Sequence, residues 1–270
     1  MRKLRTLLDG LAFPEGPRWH DGKLYFSDMH AHQVIALEIS GKSSVVCEVP
    51  NQPSGLGWLP DGRMLIVSMT DRKLLRLDPD GLKTAADLSK LAPFHCNDMA
   101  VDARGRAYVG NFGFDLHHNE KPRGTTLVMV PPDGSPRVAA DDLMFPNGTV
   151  ITPDGKTLIV GESFGAQLTA FDIAPDGSLS NRRVWAQLEK AVPDGIALDA
   201  EGGIWVASPT SEECLRVLEG GQVTERIKVE TEAFACMLGG RDRRTLFVCT
   251  AGGSDPEKCR AHRNGRIEIT

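Results

Sequence analysis

The amino-acid sequence predicts an all-β protein, a six-bladed β-propeller with four-stranded blades. Three observations favour this fold. A short phrase with a small or apolar start, a turn built on Asp-Gly and a β-rich run returns six times along the chain. The copies follow one another at about 40 to 50 residues, a period typical of propeller blades. Helical periodicity is scarce, and a single β-sandwich would not explain six copies of one phrase.

The repeated phrase begins at a defined position in every copy. In chain order the copies read EGPRWHDGKLYFSD from Glu15, SGLGWLPDGRMLIVSM from Ser54, NDMAVDARGRAYVGN from Asn97, NGTVITPDGKTLIVGE from Asn147, DGIALDAEGGIWVAS from Asp194 and the degenerate ACMLGGRDRRTLFVCT from Ala235. We call these six first residues the opening positions. Because the copies leave no room for a second domain, residues 1–270 are expected to form one domain.

The individual strands are predicted from short runs rich in β-branched and aromatic residues. The runs that follow the turns are KLYFS, RMLIVS, RAYVG, TLIVG, GIWVA and TLFVC, and those between them include QVIALEI, KLLRLD, TLVMV, QLTAFDI, CLRVLE and RIEIT. Pro-Asp-Gly and Gly-Gly turns separate them. The segment 180–192 is predicted as strand plus loop. The ring is expected to close by pairing of the N-terminal segment Arg5–Leu11 with the C-terminal strand Arg266–Ile269.

Composition and charge exclude several classes of function. The apolar content of 41% and the charged content of 25% are ordinary for a soluble globular protein. A net charge of −5 without a basic run argues against nucleic-acid binding. No stretch is long and apolar enough to span a bilayer, and the N-terminus lacks a signal-peptide pattern. A cytoplasmic protein with mostly reduced cysteines and no evident protein partner is therefore expected.

The opening positions point to a metal site. In a ring of repeats, equivalent positions face one axis, so Glu15, Asn97, Asn147 and Asp194 would meet at one end of the central channel. Two carboxylates and two amide oxygens are a ligand set for a hard divalent cation. The alternative is that Asn-Gly and Asp-Gly pairs merely form turns. Four oxygen-bearing side chains at matched positions favour the metal.

Four strings carry a resemblance to a known family: PEGPRW, CNDMAVDARGRAYVGN, FPNGTVITPDGKTLIVGES and PDGIALDAEGGIWVA. Together they resemble the regucalcin (senescence marker protein)/gluconolactonase family of six-bladed propellers, over essentially the whole chain. The resemblance implies one divalent metal held by Glu15, Asn147 and Asp194, with Asn97 touching substrate or metal. It also implies hydrolysis of a lactone, often a sugar lactone, with Asp194 as the candidate base.

The chemistry of the residues is compatible with that activity. A metal can polarise a lactone carbonyl and lower the pKa of bound water, and the chain has no Gly-x-Ser-x-Gly nucleophile elbow. Asp194 is the preferred base because its short side chain leaves one oxygen for the metal and one for a water, while Glu15 supplies fixed charge. Ca²⁺ is the first choice of cation, and Zn²⁺, Mn²⁺ and Mg²⁺ also suit oxygen donors.

Two features bear on the substrate. His95 stands two residues before Asn97, where several sugar lactonases carry an arginine, so the substrate need not be a gluconolactone. An insertion, NFGFDLHHNEKPR at 111–123, is expected either to cover the substrate or to form a plain surface loop. The residues expected to cover the substrate are Phe112, Phe114, His117 and His118.

Two other functions remain open at this point. The same residues could hold a structural calcium in a non-enzymatic binding propeller, or serve a hydrolase of another ester class on the same scaffold. A structural cation would be caged by protein oxygens, whereas only three or four candidate ligands are present. That difference favours the enzyme.

Overall fold

The computed structural model describes residues 3–116, 118 and 120–270, and their regular secondary structure is almost entirely β-strand. The strands of the first half are β1 Arg5–Leu11, β2 Pro14–His20, β3 Lys23–Asp28, β4 Gln33–Leu37, β5 Ser43–Glu48, β6 Pro53–Trp58, β7 Met64–Ser68, β8 Lys73–Asp78, β9 Gly81–Asp87, β10 Cys96–Val101, β11 Ala107–Asn111, β12 Thr125–Val130 and β13 Arg137–Leu143. Those of the second half are β14 Pro146–Ile151, β15 Thr157–Glu162, β16 Gln167–Ile173, β17 Leu179–Gln187, β18 Ile196–Leu198, β19 Ile204–Ser208, β20 Glu213–Val217, β21 Val223–Lys228, β22 Glu232–Gly239, β23 Thr245–Ala251 and β24 Gly265–Ile269.

The strands form six antiparallel four-stranded sheets, which confirms the predicted propeller. Five blades use consecutive strands, from β2–β5 to β18–β21, and the sixth has the order β22-β23-β24-β1. In that blade Arg5 pairs with Ile269 and Leu11 with Gly265, so the predicted closure by the two termini is confirmed. The segment predicted as strand plus loop is β17 and the loop after it. Contacts between blades run mainly through the first strands, β2, β6, β10, β14, β18 and β22, which line the central channel.

The recurring Pro-Asp-Gly phrase forms tight turns between neighbouring strands of a blade. Those at 60–62 and 153–155 join the first and second strands, and those at 132–134 and 175–177 join the third and fourth. In the second blade the amide of Gly62 donates to the Leu59 carbonyl at 2.9 Å, and Gly62 has a φ of +85°, a value that glycine adopts without strain. One carboxylate oxygen of Asp61, Oδ1, accepts from the amide of Arg63 at 3.1 Å. The phrase therefore recurs because adjacent antiparallel strands of a blade are joined by tight turns.

The apolar core is divided among the six contacts between neighbouring blades. Each contact has its own cluster of buried aliphatic and aromatic side chains, such as Leu56 and Ile66 against Val34 between the first two blades. A seventh cluster, rich in phenylalanine, lies at one end of the channel. The ring of blades is therefore stabilised by apolar contacts between each pair of neighbouring blades. The phenylalanine-rich cluster does not belong to any one of these six contacts.

One helix, α1 Pro256–His262, was not predicted from the sequence. The side chain of Asp255 caps it by accepting from the amide of Lys258 at 2.9 Å, and a proline begins it. Only Cys259 of its residues is buried, so the apolar period that reveals longer helices is absent. Within the described part of the chain, no helix has the length and apolar character needed to cross a membrane.

Candidate active site at one end of the channel

The six opening positions meet at one end of the channel, as the repeat predicted. Five lie in the first strands, and Asp194 lies just before β18. The Asn-Gly pair 147–148 lies within β14, and the Asp-Gly pair 194–195 lies in the segment leading into β18. Both pairs are therefore part of the channel lining, and turn formation does not explain them.

Close packing explains the glycine after several opening positions. A Cβ on Gly148 would stand 2.5 Å from the Asp194 carbonyl oxygen, and one on Gly55 would stand 2.4 Å from the Met99 nitrogen. Distances this short exclude a side chain. The amide of Gly148 instead donates to the Asp194 carbonyl at 3.1 Å, and that of Gly195 donates to the Phe234 carbonyl at 2.8 Å. These bonds between blades fix the backbone from which Asn147 and Asp194 project.

A chain of hydrogen bonds joins four of the opening side chains. The Ser54 hydroxyl donates to Oδ1 of Asn97 at 3.1 Å, and Nδ2 of Asn97 donates to Oδ1 of Asn147 at 2.9 Å. Nδ2 of Asn147 then donates to Oδ1 of Asp194 at 2.5 Å. The chain runs in one direction and ends on a carboxylate, so each amide is held in a defined orientation.

The two carboxyl groups among the opening residues, those of Glu15 and Asp194, form no ion pair with a cationic side chain of the described residues. Burial, and after it the charge of Asp194, raises the pKa of Glu15 well above its ordinary value. Burial raises the pKa of Asp194 to about 8, against the lowering effect of the hydrogen bond from Asn147. Arg18 lowers the Glu15 pKa least among the causes, and its guanidinium is paired with Asp98 at 2.7 Å. A cation at this place would relieve both groups.

The donor set fits a hard divalent cation. The described residues contain no cluster of three or more His, Cys, Asp or Glu side chains suited to a metal, so a thiolate or multi-histidine site is not formed there. Two carboxylates and the amide oxygens of Asn97 and Asn147 are the donors that Ca²⁺ and related ions take. A carbonyl oxygen has two lone pairs, so the Asn147 oxygen that accepts from Asn97 retains a second acceptor site.

Ser163 is a member of the site that the sequence did not resolve. Its hydroxyl donates to the Pro193 carbonyl at 2.7 Å and accepts from Nδ2 of Asn147 at 3.2 Å. The neighbouring Glu162 is buried and accepts from Gln167, Thr169 and the Met144 amide, away from the ring. The sequence could not separate these two neighbours because only the fold shows which one turns toward the channel.

The side chains at the opening positions are here called the polar ring. A cavity of about 480 Å³ opens above them. Two positions of the repeat supply much of its wall. The position two residues before each opening residue contributes Phe13, Gln52, His95, Phe145 and Val192. The residue directly after the second strand of each blade contributes Met29, Met69, Phe112, Ser163 and Pro209. This periodicity is present in the sequence, but the sequence alone does not show which positions of the repeat face the cavity.

The residues predicted to bind substrate have different placements. His95 lines the cavity with Asn97, and its ring stacks on Phe94 with centroids 4.1 Å apart. Phe114 is only 1% exposed and packs against Phe145 and Phe164, so it supports the wall and does not reach the cavity. His117 lies outside the described residues.

Comparison with known proteins agrees with this architecture. The chain matches the family described as "SMP-30/Gluconolactonase/LRE-like region" over residues 13–252. It belongs to that family. The expected resemblance is thereby confirmed.

Members of the SMP-30/gluconolactonase family with curated names cover most of this chain. Regucalcin of Gallus gallus is 31% identical over 90% of this chain and 85% of its own length. The 6-deoxy-6-sulfogluconolactonase of Pseudomonas putida is 25% identical over 88% of this chain and 82% of its own length. The solved structure of a calcium-binding protein, regucalcin, from Agrobacterium tumefaciens superimposes with a TM-score of 0.82 at 22% identity, covering 99% of this chain and 92% of that one. The structural likeness establishes the shared fold.

Proposed function

We propose that this protein is a metal-dependent hydrolase that opens a lactone. The observation that carries the proposal is the pair of buried, uncompensated carboxyl groups, Glu15 and Asp194, on the floor of a cavity. Asp194 is joined through Asn147 to Asn97, so two oriented amides lie beside the pair. One divalent cation would be held by Glu15, Asn147 and Asp194, with Ca²⁺ as the first choice. The lactonase name of a relative supports the reaction class, and the regucalcin relatives support a divalent metal.

The bound cation would polarise the lactone carbonyl and lower the pKa of both carboxyl groups and of a nearby water. Asp194 is the proposed base. Asn147 holds its Oδ1, while Oδ2 accepts no hydrogen bond from the described residues and can take a proton from water. The oxygen of that water forms a bond to the acyl carbon, the ring C–O bond breaks, and the proton passes to the ring oxygen. The product is one hydroxy acid.

The remaining residues position the substrate. Asn97 is fixed between Ser54 and Asn147 and presents its amide to the cavity floor, where we propose that it contacts the lactone. His95 stands above it in the wall and is proposed as a second polar contact. Phe114 acts through Phe145 and Phe164, and a role for His117 stays a prediction from the sequence.

A lactone panel tests the proposal directly. Acid release from five- and six-membered sugar lactones and simple alkyl lactones is followed with EDTA present and after Ca²⁺, Mg²⁺, Mn²⁺ or Zn²⁺ is restored. We expect turnover of at least one ring, its loss in EDTA and its recovery with one of these ions. Absence of turnover on folded, metal-loaded protein would instead favour another ester class or a non-enzymatic binding propeller with a structural calcium.

A further inference from the structure

Most of the wall area of the cavity above the polar ring is apolar, although about half of the residues that line it carry polar groups. Five phenylalanines face it, and with them two methionines, Met29 and Met69. The phenylalanines are Phe13, Phe112, Phe145, Phe164 and Phe234. Five of these seven side chains stand at the two repeat positions described above, where other copies carry polar residues such as Gln52 and Ser163. The fold therefore accepts polar residues at these positions, so folding alone does not require an apolar side chain at each of them.

The phenylalanines form two groups on opposite sides of the channel. Phe13 and Phe234, from the contact between the sixth and first blades, have ring centroids 4.7 Å apart in an edge-on arrangement. Phe112 and Phe145, from the third and fourth blades, stack at 4.4 Å, and Phe164 lies 5.4 Å beyond Phe145. In a six-bladed ring these two contacts lie across the axis from each other. We call the two groups the aromatic walls.

The charges of the cavity have one sign. Its charged lining residues within the described chain, histidines aside, are the carboxyl groups Glu15, Asp194 and Glu232, and no lysine or arginine lines it. A sulfonate, phosphate or carboxylate on the substrate would therefore meet no lysine or arginine among these residues. Polar lining residues such as Gln52, Thr70 and Thr210 can bond some hydroxyl groups of a sugar. The hydroxyl groups that face the phenylalanine rings would find no conventional hydrogen-bond partner, which penalises their burial.

One aromatic residue extends to the mouth of the cavity. Phe164 is 46% exposed, and it touches both Phe145 and the buried Phe114. A large ring held at the entrance of an apolar cavity continues the wall outward to the solvent. Exposed apolar surface of this kind, next to a concave site, is typical of a surface that binds an apolar group.

We infer that the cavity selects a neutral lactone carrying an apolar alkyl or aryl substituent, held between the two aromatic walls while the ring carbonyl lies over Asn147 and Asp194. This inference rests on the proposed lactonase activity for its reacting group and goes beyond it in naming the substituent. If the inference holds, the apolar wall gives this protein a different substrate preference from enzymes that act on polyhydroxylated or anionic lactones.

Three six-membered lactones with the same reacting ring test the inference. They are δ-valerolactone without a substituent, δ-decalactone with a pentyl chain, and D-glucono-1,5-lactone with hydroxyl groups. We expect kcat/KM for δ-decalactone to exceed that for the gluconolactone by about 100-fold or more, with δ-valerolactone between them. Equal or higher kcat/KM for the gluconolactone would overturn the inference while leaving the lactonase proposal intact.

A variant at the mouth of the cavity tests whether Phe164 contacts the apolar substituent of the substrate. Phe164→Ala should raise KM for δ-decalactone about fivefold and leave kcat unchanged, because it removes binding shared by ground and transition states. KM for δ-valerolactone should not change, since that ring has no substituent to lose contact. Ile39→Ala is the matched control, an apolar residue 47% exposed in the turn between β4 and β5. An equal KM change for both lactones would contradict the assigned role.

A binding measurement separates failure of the inference from failure of the proposed function. If none of the three lactones is hydrolysed, calorimetry with 2-pentyltetrahydropyran, which lacks the ester, and with glucose decides the question. Binding of the alkyl ether without binding of glucose, weakened in Phe164→Ala, would support the apolar site without lactonase activity. Binding of glucose alone, or of neither compound, would overturn the inference.

Discussion

The two ends of the central channel are built by the same six strands and differ in what those strands carry. The end described above holds a cavity of about 480 Å³, and the opposite end holds one of about 440 Å³. The first is floored by carboxylates and amides. The second is lined by Arg18 and Arg243, the tryptophans Trp19 and Trp58, and apolar strand residues such as Val101. The size of the cavity therefore does not distinguish the proposed active end of the channel from the opposite end.

The difference lies in how charge is compensated. At the opposite end, Arg18 donates to Oδ1 of Asp98 at 2.7 Å and to the Met99 carbonyl at 2.5 Å, so its charge is neutralised within the fold. At the first end, Glu15 and Asp194 share a buried place without such a partner, and their pKa values rise. The two uncompensated acids are the physical mark of the candidate site, and the proposed cation site rests on them.

The largest expected effect compares one residue from each end. Asp194→Asn should lower kcat about 1,000-fold on any lactone turned over, because the proposed base is lost. Cation binding, measured by calorimetry, should weaken far less, because the amide oxygen can still ligate. Arg243→Ala at the opposite end should change kcat by less than about twofold. Equal losses of turnover and cation binding in Asp194→Asn would remove the case for Asp194 as the base.

The next prediction concerns the free energy of unfolding and a residue at the opposite end of the channel. Arg18→Met should lower the free energy of unfolding by about 3 kcal/mol, because it leaves Asp98 buried without its partner. Urea denaturation of the metal-free protein measures this change. Arg241→Met, at an exposed arginine, is the control and should shift the unfolding free energy by less than about 0.5 kcal/mol. A small effect of Arg18→Met would show that the charge compensation at this end is unimportant.

The smallest effect is a pH dependence of stability in the metal-free protein. The folded-state pKa of Glu15 and of Asp194 is raised above the ordinary values of 4.5 and 3.8. Such groups contribute stability that is complete below those ordinary values and is lost as pH rises through the folded pKa, about 8 for Asp194. The free energy of unfolding should therefore fall between pH 5 and pH 8, by about 1 kcal/mol or more.

Two comparisons check the origin of that slope. Glu15→Gln should flatten it, because one of the two titrating acids is removed. Addition of Ca²⁺ to the wild-type protein at pH 8 should restore the lost stability if the cation binds the ionised pair. A slope unchanged in Glu15→Gln, with no response to any divalent ion, would place its origin elsewhere in the fold.

Several residues of the site could be predicted because equivalent positions of a repeat occupy equivalent places around the channel axis. Glu15, Asn97, Asn147 and Asp194 were assigned to one end of the channel from their matched positions alone, and the structure joins three of them by hydrogen bonds. Phe114 shows the limit of the same reasoning. Its place in an insertion suggested a lid, yet it is buried behind Phe164, because an insertion has no equivalent in other blades from which its direction can be inferred.

The sequence by itself determined the number of blades, their turns, the closure by the two termini and the ring of opening residues, because all of these follow from periodicity and local turn chemistry. Only the tertiary structure decided which neighbours of that ring line the cavity, that Ser163 joins it while Glu162 turns away, and that Arg18 is neutralised while Glu15 is not. These outcomes depend on the distances between side chains of different blades. Residues that are far apart in the sequence exclude water from one another there, and this burial shifts the pKa values of the acidic groups.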